Sequence, residues 1–362
     1  MNCKINRRST LFALFAAYCA AASAACGLAT AADRPEMIHP KRLQPGDTVM
    51  FIAPAGPPKK DEVHRAKQRI EDRGYKVKMR DDLFNVEGYL AGTDERRAEE
   101  LMEAFLEDEV DGVLCVRGGY GCMRILDQLD FDRIRQHPKV LLGFSDVTAL
   151  HAALQAKAGL VSFHGPGPAS GLGSEEGPTD FTAQALCQAL ESPSGEPASA
   201  GGGPTNDYTI QVPDSVAKVD AYGAGKATGR LVGGNLSLIS ALEGTPYAID
   251  CRDAILLIED VNEAPYRIDR MLAQLKLAGK LTQIRGAVLG QFTTEFVRED
   301  KLTDDARFDT NGVLAQYFKD AGIPVLVNYP IGHHDQNATV PLGAQVEIDA
   351  DARTLRILGQ ND

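Results

Sequence analysis

Apolar residues along this chain fall into short unbroken runs, separated by longer stretches in which they recur every three or four positions. Thr48 to Ala53 is the first run, ended by Pro54, Ala55 and Gly56. Val113 to Val116, Val140 to Leu142, Ala254 to Ile258, Gly286 to Gly290 and Val325 to Val327 follow. Runs of this kind read as strands buried on both faces. Between them Asp61 to Arg73 reads as a charged helix, and Thr93 caps another with Asp94 and Glu95 in its first turn. Asp146 to Ala158 reads as an apolar helix, and Asp180 to Glu191 and Leu236 to Leu242 as two more. A further helix carries Ile268, Met271, Leu272 and Leu275 on one face. A strand pair is expected around Gln345 to Leu358. Strands alternating with helices imply an α/β fold, a parallel sheet with helices on both faces.

The stretch Gly165 to Gly229 breaks this rhythm with glycines at 201–203, seven prolines and many Ser and Thr residues. It reads as a partly flexible connection carrying one helix. The expected organisation is an N-terminal domain over 45–168, a Gly/Pro-rich connection over 169–228 and a C-terminal domain over 229–362. A length of 362 residues suits two domains at roughly 150 each.

Residues 1–32 are set aside as an export signal. Lys4, Arg7 and Arg8 form a positive start, and Leu11 to Ala25 is an apolar run too short for a transmembrane helix. Small residues then crowd Ala20 to Ala32. The expected location is periplasmic, with no transmembrane anchor in the mature chain. Arg7-Arg8 fits a twin-arginine signal loosely. Cys26 is a candidate for lipid anchoring, although ordinary cleavage that discards it is the favoured reading. Removing the three leader cations takes the formal net charge from −12 to −15. An acidic chain argues against a nucleic-acid partner, since phosphate binding needs a basic surface. Cys115, Cys122, Cys187 and Cys251 lack zinc spacing and are too sparse for a disulfide scaffold.

Chemistry concentrates in a few loops. Leu142-Gly143-Phe144-Ser145-Asp146 puts a serine at a tight strand-to-helix turn, facing backbone N–H groups at the helix start. Val147 stands where a full nucleophile elbow has glycine, and the plain alternative makes Ser145 a helix N-cap. Arg117-Gly118-Gly119-Tyr120-Gly121 is either a tight turn or half of an oxyanion hole. The base candidates are His333, on a loop with His334 and Asp335, and His164. A metal reading of that loop lacks the helical spacing that aims two ligands together. Glu259 ends a buried strand, at the rim where such folds build sites.

Taken together these segments resemble the LD-carboxypeptidase family of serine peptidases, whose relatives include the microcin C self-immunity peptidases. The matching text includes Phe51 to Gly56, Val116 to Gly121, Gly143 to Asp146, Phe163 to Pro166, Leu231 to Asn235, Leu257 to Glu263, Pro265 to Met271, Gly332-His333 and Val340 to Gly343. The resemblance implies a flavodoxin-like N-terminal domain and a smaller swivelling β/α C-terminal domain, with the triad split across them. It puts the nucleophile on Ser145, the acid on Glu259 and the base on His333, with oxyanion amides from Asp146 and the Gly118-Gly119 pair. It implies a muropeptide substrate cut before a terminal D-alanine, and no metal or organic cofactor. Arg117, Tyr120 and Arg267 are the expected substrate contacts, and a homodimer stays open. Two rival expectations are a microcin-type peptidase acting on peptidyl-nucleotides and an exported muropeptide-binding protein without turnover. The chain has no Trp, which weakens the first rival, because an aromatic residue is expected there to stack on the nucleotide.

Overall fold

A computed structural model describes residues 34–192, 207–294 and 305–359, so the leader expected over 1–32 lies outside the described residues. Strands β1 (Thr48–Ile52), β2 (Lys76–Met79), β3 (Gly112–Cys115), β4 (Val140–Gly143) and β5 (Ser162–His164) form a parallel sheet in the order β2-β1-β3-β4-β5. That is the flavodoxin-like strand order, which builds ligand sites beyond the carboxyl ends of the strands. Helices α1 (Lys60–Asp72), α2 (Asp94–Leu106), α3 (Phe131–Gln136), α4 (Thr148–Ala153) and α5 (Asp180–Leu190) belong to this half of the chain.

The unbroken apolar runs arise because neighbouring residues serve two different cores. Met50, Ile52, Val113, Cys115 and Leu141 pack into one cluster, and Val49, Phe51, Leu114, Val116 and Leu142 into another. Side chains alternate across a strand, so burial on both faces requires every position to be apolar.

The second sheet uses β6 (Tyr208–Thr209), β7 (Asp220–Tyr222), β8 (Lys226–Asn235), β9 (Ala254–Val261), β10 (Gly286–Thr293) and β11 (Val325–Val327). After β12 (Val340–Leu342), β13 (Gln345–Asp349) and β14 (Thr354–Ile357) complete it in the order β6-β14-β13-β8-β9-β10-β11-β7. Its centre, β8 to β11, is parallel and its edges are antiparallel. Helices α6 (Leu236–Leu242), α7 (Pro265–Leu277) and α8 (Thr310–Phe318) belong to it. Val232, Leu256, Ile258, Ala287 and Leu289 join the same cluster as Met50 and Ile52, so one core is shared by both sheets.

Three features differ from the sequence reading. The connection over 169–228 contributes β6 and β7 to the edges of the second sheet, and β12 returns from the C-terminal stretch to the first sheet, antiparallel to β5. The helix expected over 146–158 is three pieces: a 3-10 turn Ser145–Val147, α4, and a wide turn Leu154–Ala158 closed by Gly159 at φ 60°. Cys115, Cys122, Cys187 and Cys251 are all free thiols. Among the described residues no helix is long and apolar enough to cross a membrane.

Candidate active site

The loops after β3, β4 and β11, and the end of β9, carry the triad candidates and the glycine loop. Ser145 follows β4 with φ at 64°, in the left-handed region that a serine rarely occupies. Phe144, in extended conformation just before it, occupies the cap position, so Ser145 is the first residue of the turn and not the N-cap of a helix. Strain of this kind costs on the order of 1–3 kcal/mol and persists where surrounding structure enforces it. Here the enforcement is visible. Asp146 is buried and its carboxylate accepts the backbone N–H of Cys122 at 2.8 Å. Behind Gly143, the buried His151 donates from Nε2 to the Gly143 carbonyl and accepts from Ser162 Oγ at Nδ1, both at 2.8 Å. Burial holds this imidazole neutral, its pKa lowered to about 4.

Gly118 faces the serine. A Cβ on Gly118 would stand 2.8 Å from Ser145 Cβ and 3.1 Å from both Ser145 Oγ and the Asp146 nitrogen. Only glycine permits that approach. The Gly118 carbonyl accepts from Gly56 N–H at 3.1 Å, tying the loop after β3 to the loop after β1. Gly119, at φ 112°, packs over Gly56.

Glu259 lies near the end of β9 and is fully buried. Its Oε2 accepts from His333 Nδ1 at 2.7 Å, across 74 residues of sequence. That bond puts the proton on Nδ1 and leaves the Nε2 lone pair for a substrate or nucleophile. Burial alone would lower the His333 pKa, but the charge and hydrogen bond of Glu259, with Asp260 behind it, outweigh burial and raise it. Gly332 turns at φ 128°, and a Cβ there would meet Glu259 Oε2 at 2.8 Å. The His333 ring packs against Phe144 with centroids 4.8 Å apart. The acid–base pair therefore stands against the residue that precedes the serine. Among the described residues no hydrogen bond joins Ser145 Oγ to the imidazole. Such bonds often tighten only with substrate bound.

The remaining candidates separate. Arg117 donates to the Pro57 carbonyl at 3.2 Å and lies beside Gly56 and Gly119, at the rim of the serine turn. Tyr120 is half exposed and meets Tyr89 edge to face at 5.5 Å. Arg267 is instead drawn to Glu263 at 3.3 Å and to the Tyr266 hydroxyl, on the exposed start of α7. His334 only accepts from the Gln336 N–H, so the pair with His333 does not converge on one point. His164 is fully buried, its ring 6.1 Å from that of Phe144 and its nitrogens without a hydrogen-bond partner among the described residues. Burial, then the nearby His151 and His333, lower its pKa. A fully enclosed ring cannot serve a substrate as base.

Sequence reasoning gave no role to Phe144 as the platform for His333, or to Asp260. Asp260 is buried beside Glu259 and accepts from Asn235 Nδ2, Ser237 N–H, Ser237 Oγ and Val261 N–H at 2.7–3.0 Å. Burial and the neighbouring Glu259 push its pKa up to about 6 against those donors.

Comparison with known proteins gives a consistent picture. Residues 49–165 match the LD-carboxypeptidase N-terminal domain, and 228–348 match the LD-carboxypeptidase C-terminal domain. A probable murein peptide carboxypeptidase of Bacillus subtilis is 40% identical over 317 residues, covering 87% of this chain and 92% of the relative. A murein tetrapeptide carboxypeptidase of Pseudomonas aeruginosa is 30% identical over 307 residues, covering 84% and 93%. The solved structure of the microcin C7 self-immunity protein MccF superposes with a TM-score of 0.79 at 25% identity, covering 90% of this chain and 99% of that one.

Proposed function

The chain belongs to the LD-carboxypeptidase family, and from that premise we propose that it is a serine peptidase that removes the terminal D-alanine from murein tetrapeptides. Membership makes it a peptidase, and two relatives are named as murein peptide or tetrapeptide carboxypeptidases. The observation that carries the serine mechanism is the buried Glu259–His333 pair at 2.7 Å, packed against Phe144 beside a serine at φ 64°.

In this reading Ser145 Oγ attacks the carbonyl joining an L-centre to D-alanine, and His333 Nε2 takes the hydroxyl proton. The developing oxyanion is received by N–H groups of the Gly118-Gly119 pair and Asp146. His333 returns the proton to the leaving amine as the C–N bond breaks, and water then releases the acyl group by the same steps in reverse. Glu259 keeps the imidazole in the productive tautomer and stabilises its cationic form. Arg117 is the nearest candidate for the substrate's terminal carboxylate. The leader sets the work in the periplasm.

Product analysis with a defined tetrapeptide tests this reading. Wild type should release D-alanine and a tripeptide, and Ser145→Ala should release neither while keeping its fold by circular dichroism. Undiminished release by Ser145→Ala would refute it.

A further inference from the structure

The proposed nucleophile and the acid–base pair sit on different sheets, so something must fix one against the other. Thr148 is the first residue of α4, three positions after Ser145, and is fully buried. Its Oγ1 accepts the backbone N–H of Asn235 at 3.0 Å, across 87 residues of sequence. Asn235 is the last residue of β8 and lies directly opposite Glu259 in the parallel pairing of β8 with β9. Its side chain continues the chain of bonds: Nδ2 donates to Asp260 Oδ1 at 3.0 Å, and Oδ1 accepts Leu238 N–H at 3.3 Å, capping α6. Asp260 is anchored in turn by Ser237 and Val261. The contact is close as well as polar, since a Cβ on Gly234 would stand 2.7 Å from Thr148 Oγ1. From Ser145 to Glu259 the path is therefore about one turn of helix, one hydrogen bond and one strand pairing, with Thr148, Asn235 and Glu259 all buried.

We propose that Thr148 is a positioning residue, whose buried hydroxyl sets the register between the serine turn and the strand that carries the acid–base pair. The inference rests on Ser145, Glu259 and His333 acting as one unit. Thr148 touches neither substrate nor reacting atoms in this account. It acts through Asn235, and removal of its hydroxyl leaves the Asn235 N–H, in a residue only 3% exposed, without this acceptor. Displacement of a reacting group by about 1 Å costs up to roughly a hundredfold in rate, and a seam without its central bond is free to slip by a fraction of that.

The test uses the full-length enzyme with Thr148→Val, which keeps the shape and removes the acceptor, and Thr148→Ser, which keeps the acceptor. Turnover of a murein tetrapeptide and the rate of Ser145 labelling by a fluorophosphonate are measured on each, with thermal melts as a control. Thr148→Val should lose about ten- to a hundredfold in kcat with KM within about threefold, and labelling should slow by the same factor. The acidic limb of its pH–rate profile should stay in place, because the neighbours of His333 are untouched. Thr148→Ser should recover most of the loss. Wild-type kcat and labelling in Thr148→Val would overturn the proposal, as would a Thr148→Ser variant as slow as Thr148→Val. A wild-type enzyme that is labelled at Ser145 but releases no D-alanine would sink the substrate reading alone, and the labelling rates would still decide the role of Thr148.

Discussion

Gly118→Ala should nearly abolish turnover while leaving a folded protein. The added carbon would lie 2.8 Å from Ser145 Cβ and 3.1 Å from the Asp146 nitrogen and Ser145 Oγ. Non-bonded carbons rest at about 3.5–4.0 Å, so one wall must retreat by roughly 0.7–1.2 Å. Neither wall yields freely. The Gly118 loop is held through its carbonyl by Gly56, and the serine turn is held by the Asp146 bond to Cys122. Overpacking of this kind costs about 1–3 kcal/mol in stability, a drop of about 1–1.5 °C in Tm for each kcal/mol in a chain of this size. The kinetic effect is larger. Alanine keeps the backbone N–H, but displacing it forfeits up to the roughly hundred- to thousandfold in kcat that one oxyanion donor supplies. The assay is initial-rate release of D-alanine, read as kcat and KM separately and paired with a melt. A fall in kcat of about a hundredfold with KM nearly constant is expected. Activity within about threefold of wild type would refute the claim that Gly118 is glycine because its backbone serves the serine.

Three further outcomes follow from the geometry. Glu259→Gln should reduce kcat by at least about a hundredfold. Because Glu259 helps to raise the His333 pKa, its neutralisation should move the acidic limb of kcat/KM to lower pH, and an unmoved limb would contradict the pairing. Ser145→Gly should be more stable than Ser145→Ala by about 1 kcal/mol in denaturant unfolding, because glycine adopts a φ of 64° without strain; equal stabilities would show an unstrained turn. Stability should fall on acidification from pH 6.5 towards 4: His151, at about 4 when folded, lets the unfolded chain bind a proton first, which for this group alone amounts to about 3 kcal/mol. Asp260, raised to about 6, and the buried Glu100 and Asp146, raised as well, have the opposite sign over part of that window; His39 and His164 are lowered with His151, and the three histidines are expected to prevail. Denaturant midpoints that rise towards pH 4 would reverse this reading.

The central strands were legible because each must be apolar at every position to fill two cores, as Val49 to Ile52 and Val113 to Cys115 do. Strands without that signal were not. Lys76–Met79 is a half-exposed edge with two lysines, β8 holds three glycines, and β12 has proline at its centre and finds its partner far back along the chain. In the site, the serine turn and the glycine loop announced themselves by composition. The positive φ of Ser145 did not, since no glycine marks it. Arg267 pairs locally with Glu263, four residues before it, a bond that a motif reading passes over. The Thr148–Asn235–Asp260 bonds were invisible for another reason. They join residues 87 and 25 apart: α4 packing on β8 brings Thr148 to Asn235, and the pairing of β8 with β9 brings Asn235 to Asp260.

The hydrolase account rests on a covalent intermediate at one hydroxyl. Wild-type enzyme mixed with a murein tetrapeptide, quenched in acid within milliseconds and mapped by mass spectrometry, should carry a tripeptidyl ester on the fragment containing Ser145, formed at the rate at which D-alanine first appears. D-alanine released at full rate with the adduct absent from Ser145, or on another side chain, would contradict it.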